Sequence, residues 1–235
     1  MAKILIVLTS HTQLGETGKP TGFYFDELAA PYWVFSEAGH DVDLASIAGG
    51  HPQPDPNSLD KEVNKRSQPV QRFLADPHAQ NKLENTIPMS AVEANNYDAI
   101  FLAGGHGAMW DFPDNEALSA AITRIYDMGG IVSAVCHGPA GLVNVKRYDG
   151  HYLVNGSRVN GFTNDEEKAV ELQRSVPFLL EDTLKARGAK FESRSGFSSF
   201  AVQDGRLVTG QNPQSAEKTA KLVVSALKEI HREAA

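Results

Sequence analysis

Val132-Ser133-Ala134-Val135-Cys136-His137-Gly138-Pro139-Ala140-Gly141 is the stretch that decides how this chain folds. A small, β-branched apolar run beginning at Gly130 stops abruptly at Cys136. Small residues come next, with a proline at a helix-start position. Such near-continuous apolar character belongs to a parallel strand covered on both faces. A strand ending in a nucleophile and a tight turn puts that nucleophile at the carboxyl edge of an open α/β sheet, where these sheets bind ligands. Cys136 therefore reads as a nucleophile, its thiolate favoured by the positive end of a following helix. The competing reading is a small buried apolar residue, which is how most free cysteines behave.

On either side of this stretch, short β-rich runs alternate with helical patterns. Residues 3–8, 41–45 and 98–103 read as strands like 130–135, and 190–193 and 206–210 as further ones, with an Asp204-Gly205 turn before the last. Helical patterns span 23–38, 114–128, 178–187 and 213–233, the first three closed by Gly39, Gly129-Gly130 and Gly188. Alternating β and α units predict a doubly wound, mostly parallel sheet between helical layers, in one domain over residues 1–235. The stretch from Gly49 to Glu93 departs from this pattern, opening with three prolines in five positions, Pro52, Pro54 and Pro56. It reads as an insertion with short helices, a cap over the site or a passive surface excursion.

The 235 residues hold one cysteine, which excludes an intramolecular disulfide framework and a cysteine-rich zinc module. Twenty-two Lys and Arg against 29 Asp and Glu give a net charge of −7, with no basic cluster, so neither nucleic acid nor an anionic membrane is expected as partner. The apolar run at Ile4–Leu8 is too short for a secretory signal, and no stretch reaches the ~18 apolar residues of a membrane span. A cytoplasmic protein is expected. His51, His78, His106 and His151 lack the i, i+4 spacing of a helical ligand pair, so they read as surface or loop residues and no metal is expected.

Two further features point to the sheet edge that holds Cys136. The 98–103 strand ends in Gly104-Gly105-His106-Gly107, whose backbone N–H groups could face a ligand as an oxyanion hole requires; a plain tight turn is the alternative. Glu27 shares a helical face with Phe23 and Pro31. Burial there would raise its pKa, whereas a solvated helix carboxylate would be ordinary.

Together, Thr21-Gly22 with Glu27, Gly104-Gly105-His106-Gly107 and Ala134-Val135-Cys136-His137-Gly138-Pro139 resemble the ThiJ/PfpI superfamily. The nearest branch is that of glutathione-independent glyoxalases (glyoxalase III) and heat-shock chaperone-like proteins. The likeness continues through Gly161-Phe162-Thr163-Asn164-Asp165-Glu166-Glu167 and through residues 205–213, so it covers nearly the whole chain in order. It implies a flavodoxin-like three-layer sandwich and a homodimer. It also implies conversion of methylglyoxal or a related 2-oxoaldehyde to a 2-hydroxy acid such as lactate, without glutathione, metal or other cofactor, as stress protection against reactive carbonyls.

By the same resemblance Cys136 is the nucleophile, His137 its neighbouring histidine and Glu27 the acid that contacts the thiol. Glu167 completes a Cys-His-Glu triad, with Glu166 and Asp165 close enough to take its place. Gly105, His106 and His137 form the oxyanion and substrate side, with backbone N–H groups of Gly105 and His137 as donors. The stretch His11-Thr12-Gln13-Leu14-Gly15 lacks a tyrosine-containing segment of the fungal members, so the substrate pocket is expected to differ there.

Other classes fit parts of the pattern. A holdase chaperone or redox-stress sensor would use an exposed apolar patch or an oxidisable Cys136. A cysteine amidase or peptidase would share the thiolate–imidazole machinery. A glutamine amidotransferase would need a distant His-x-Glu, and His231-Arg232-Glu233 is read as coincidental because it sits where chain ends fray.

Overall fold

The computed structural model describes residues 1–59 and 67–233, the side chains of His231 and Glu233 excepted, so the His231-x-Glu233 pair lies outside the described residues. Among the described residues nine strands run in chain order: β1 (Lys3–Leu8), β2 (Asp41–Ser46), β3 (Ile87–Pro88), β4 (Ala99–Leu102), β5 (Ile131–Val135), β6 (Arg158–Val159), β7 (Lys190–Phe191), β8 (Ala201–Asp204) and β9 (Leu207–Gly210). The described α-helices are α1 (Phe25–Glu37), α2 (Gln68–Ala75), α3 (Pro77–Glu84), α4 (Ala108–Asp111), α5 (Glu116–Asp127), α6 (Asn164–Ala169), α7 (Leu180–Ala186) and α8 (Ala216–Glu233).

Seven strands form one sheet in the order β3-β2-β1-β4-β5-β9-β8. Every neighbour pair is parallel except β8 with β9, which the tight turn around Gly205 joins as an antiparallel hairpin. The central strands are in step, with Ile6 opposite Leu44 on one side and Phe101 on the other, and Phe101 opposite Ser133. Alternation builds both cores. Ile4, Ile6 and Leu8 enter the layer under α1 and α8, while Leu5 and Val7 enter the layer under α5. Phe101 faces the first core and Ile100 and Leu102 the second, which is why these strands read as continuously apolar. The result is the doubly wound, flavodoxin-like sandwich expected. Among the described residues no helix is long and apolar enough to cross a membrane.

The differences from expectation have local causes. Residues 190–191 do not join the main sheet but pair with β6 as a separate two-stranded sheet, and β8 adds an edge strand that the sequence pattern does not announce. The first helix begins at Phe25, because Gly22, Phe23 and Tyr24 are drawn into extended contacts. Phe23 N–H donates to Gln53 O, Asp55 N–H to Phe23 O, and Tyr24 N–H to Gly104 O. Phe23 is therefore not on the helical face that carries Glu27. Within 49–93, α2 packs on α1, α3 on α2 and β2, and β3 extends the sheet edge. Among the described residues of this segment, Asp55 and Asn57 reach the cavity beside Cys136.

Candidate active site

Going outward from β1, the chain winds first to β2 and β3, and only then crosses to β4 and β5 on the other side. The carboxyl ends of β1, β4 and β5 therefore open the crevice that a doubly wound sheet leaves at its switch point. Cys136 stands there with φ +59, a left-handed backbone that non-glycine residues seldom adopt. The elbow is held by Cys136 N–H donating to Gly210 O and Phe162 N–H donating to Cys136 O. Beyond it the chain enters a five-residue 3-10 turn, Gly138–Leu142, rather than an α-helix.

That turn corrects one expectation. No α-helix follows to present aligned dipoles to the thiol, and Cys136 is only 3% exposed. Burial pushes the thiol pKa well above its ordinary value, and the Glu27 carboxyl beside it works in the same direction; a Gly105 N–H donated to the sulfur opposes them.

Glu27 lies in the first turn of α1 and is fully buried. Its Oε2 accepts the Gly104 N–H at 2.7 Å, and the carboxyl also meets the Cys136 thiol. Oε1 is buried without another hydrogen-bond partner among the described residues. Burial raises its pKa well above the carboxylate range, so Glu27 is held as the protonated acid. Two glycines make room for this pairing. A Cβ on Gly104 would stand 2.6 Å from Glu27 Oε2, and one on Gly105, at φ +99, would collide with the Gly22 carbonyl.

His137 Nδ1 lies 3.3 Å from Cys136 Sγ, and its Nε2 lies 2.8 Å from Glu167 Oε2. The other oxygen, Oε1, is 2.8 Å from His106 Nε2, and the two imidazoles are 4.1 Å apart between ring centres. Burial works to raise the Glu167 pKa, but the two histidines outweigh it and hold the carboxyl at about 2. Burial, then the neighbouring His106, lower the pKa of His137. An ionised Glu167 can only accept, so both Nε2 atoms donate. A neutral His137 is then left with a bare Nδ1 facing the thiol proton.

Glu166 and Asp165 have other work. Glu166 closes a capping box with Thr163 at the start of α6, and its Oε1 accepts from Phe197 N–H, Gln211 Nε2 and Asn212 Nδ2 at 2.7–3.0 Å. Asp165 is exposed and pairs with Lys168. Of the three acids, Glu167 is the one that the structure places against His137. Among the described residues, His106, His137 and Glu167 also form the group able to hold a metal ion, with donor atoms within 4.8 Å of one another. Sequence spacing could not reveal it, because the three come from three separate segments. His106, partly exposed in the turn after β4, is thus a member of this cluster.

The relay opens into a cavity of about 350 Å³. Leu14, Phe162, Val170, Leu172 and Phe197 line it together with the polar Lys19, Asp55, Asn57 and Gln214. Gly105, His106, Cys136 and His137 all border it.

Residues 21–226 match the model of the DJ-1/PfpI family. The chain belongs to that family. Among DJ-1/PfpI relatives, Glyoxalase 3 of Candida albicans is 33% identical over 233 residues, spanning 96% of this chain and 98% of its own. Glutathione-independent glyoxalase hsp3102 of Schizosaccharomyces pombe is 35% identical over 218 residues, 89% of this chain and 90% of its own. The Rapid Encystment Protein of 24 kDa from Francisella tularensis superposes with a TM-score of 0.92 at 40% identity, covering 97% of this chain and 99% of that one.

Within this DJ-1/PfpI fold, Glu27, Gly105, His106, Cys136, His137 and Glu167, singled out along the sequence, all come together at one sheet edge. Missed were the second imidazole on Glu167 and the aromatic wall of Phe162 and Phe197. One signal was available: Thr163-x-x-Glu166 is a capping-box pattern, which commits Glu166 to the helix end and leaves Glu167 for the site.

Proposed function

We propose that this protein is a glutathione-independent glyoxalase, converting a 2-oxoaldehyde such as methylglyoxal to the 2-hydroxy acid. One observation carries the reading. A buried acid and a buried imidazole flank the same thiol, Glu27 and His137 with Cys136 between them. Isomerising an aldehyde needs a nucleophile and a means of moving one proton between adjacent carbons. The names of the Candida albicans and Schizosaccharomyces pombe relatives support the same chemistry.

In the proposed sequence Cys136 Sγ attacks the aldehyde carbon as its proton passes to His137 Nδ1, and Glu27 protonates the aldehyde oxygen to give a hemithioacetal. The Glu27 carboxylate then removes the proton on that carbon while His137 protonates the neighbouring carbonyl oxygen, forming an enediol. Glu27 returns its proton to the second carbon, His137 takes the hydroxyl proton of the first, and a thioester remains. Water adds to the thioester, its proton going to Glu27, and the Cys136–acyl bond breaks with His137 protonating the sulfur. The hydroxy acid leaves, and all three groups return to their starting states. A positioned acid/base contributes about 10²–10⁴-fold to such proton transfers. Glu167 holds the His137 tautomer through this cycle, and the Gly105 and His137 backbone N–H groups serve the developing oxyanion.

With Cys136 only 3% exposed at the base of its cavity, a small aldehyde suits the site better than a peptide bond. The test is lactate formation from methylglyoxal without glutathione by wild type and Cys136→Ala. Absence of lactate from the wild-type protein overturns the reading.

A further inference from the structure

We infer that Phe197 is a specificity residue that receives the substrate's substituent, and that the preferred substrates are 2-oxoaldehydes with an aromatic or bulky apolar group in place of methyl. This preference rests on the glyoxalase reading and goes beyond it to the class of aldehyde. Three observations converge on it.

The first is backbone strain. Phe197 has φ +58, in a turn where Ser198 N–H donates to Ser195 O. A left-handed position late in such a turn favours Gly or Asn. Here Gly occupies the preceding position, Gly196, and a bulky aromatic takes the strained one. Non-glycine residues held there are strained and cluster at ligand clamps.

The second is anchoring. The Phe197 N–H donates to Glu166 Oε1 at 2.7 Å, the carboxylate that also gathers Gln211, Asn212 and Thr163. The conformation is therefore locked from below, while the residue remains 41% exposed. A core aromatic would not be presented to solvent from such a support.

The third is where the ring lies. It stands edge-on to Phe162, 6.2 Å between centres, and Phe162 packs at 4.5 Å on the imidazole of His137. An aromatic path thus leads from the catalytic base to the cavity mouth, where Val170 and Leu172 add apolar surface. The cavity, at about 350 Å³, falls in the ~300–1,000 Å³ range typical of sites for far larger ligands than a three-carbon aldehyde. Cys136 borders the same cavity, so an aldehyde held on its sulfur has this wall open to its substituent.

The experiment compares kcat/KM for phenylglyoxal, read as mandelate, with that for methylglyoxal, read as lactate, in wild type, Phe197→Gly, Phe197→Asn and Phe197→Leu. Gly and Asn both accept the left-handed backbone and keep the N–H to Glu166, so folding is preserved and a melting curve verifies it. The phenylglyoxal-to-methylglyoxal ratio is expected to fall roughly tenfold in the Gly and Asn variants, through KM for phenylglyoxal, as an aromatic contact and its buried area are lost. Phe197→Leu is expected to retain most of the ratio. A ratio unchanged in the Gly and Asn variants, with both aldehydes still turned over, overturns the assignment of Phe197. If the wild-type protein turns over neither aldehyde, the glyoxalase reading falls and the role of Phe197 falls with it.

Discussion

Glu167 Oε2 lies 2.8 Å from Nε2 of His137, and that single contact sets the direction in which protons can move. The carboxylate fixes the ring so that its bare nitrogen meets the thiol 3.3 Å away. His106 completes the carboxylate's other side.

Replacing this carboxylate by an amide, Glu167→Gln, offers His137 either a donor or an acceptor and so no longer selects the tautomer. We expect kcat for methylglyoxal to fall about 10²–10⁴-fold with KM changed far less, since the loss is in the proton-transfer steps. Steady-state kinetics beside a circular dichroism spectrum checks it. Near wild-type kcat would show that Glu167 has no part in the reaction.

Glu166, one residue earlier, is expected to behave in the opposite way. Glu166→Ala leaves the N–H of Phe197 and the amides of Gln211 and Asn212 without their shared acceptor. Each unsatisfied buried donor costs about 1–3 kcal/mol, so the loss should appear as a melting temperature lower by about 10 °C or more. Differential scanning fluorimetry reads it. An unchanged melting temperature would contradict the structural role.

Glu27→Gln removes the buried acid in contact with the thiol while keeping its shape. Turnover should drop by about 10²-fold or more, because the amide cannot carry the proton between carbons. Stability should move the other way with pH. The folded-state pKa of Glu27 is raised above 4.5, so the acid's contribution is complete below that value and is lost as pH rises through the folded pKa. Gln does not titrate, and the variant should gain on wild type in denaturant midpoint as pH increases above 4.5. A midpoint difference independent of pH would count against a buried, protonated Glu27.

Acid stability depends on Glu167 with the reverse sign. Its pKa falls from 4.5 to about 2 on folding, so the unfolded chain binds more protons between those values. The stabilisation is present above 4.5 and disappears as pH falls towards 2. Urea unfolding of wild type and Glu167→Gln over about pH 2–5 should converge at the acid end and diverge at the upper end. Parallel curves would refute it.

Much of this was legible along the chain because it is written in local patterns. The continuous apolar run of Ile4 to Leu8 and the apolar run that stops at Cys136 name the strands, and glycines such as Gly39 and Gly188 end the helices. Even the choice between Glu166 and Glu167 had a local trace in the Thr163–Glu166 capping box. The weak points were also local: strands of two residues at β6 and β7 carry too little pattern to say which sheet they join.

The doubly wound order of elements and the residue types at each strand's carboxyl end are thus properties of the linear chain, because periodicity and turn chemistry act over a few residues. What those residues are chemically is settled in three dimensions. Sheet order brings Glu27, Cys136 and Glu167 to one point from separate segments of the chain. Burial then works to raise the pKa of both the thiol and the Glu27 carboxyl, and a 3-10 turn stands where a helix was expected after Cys136. Desolvation is a property of everything packed around a group, so no stretch of chain announces it. The strained Phe197 at the cavity mouth is likewise visible only once the backbone has a shape.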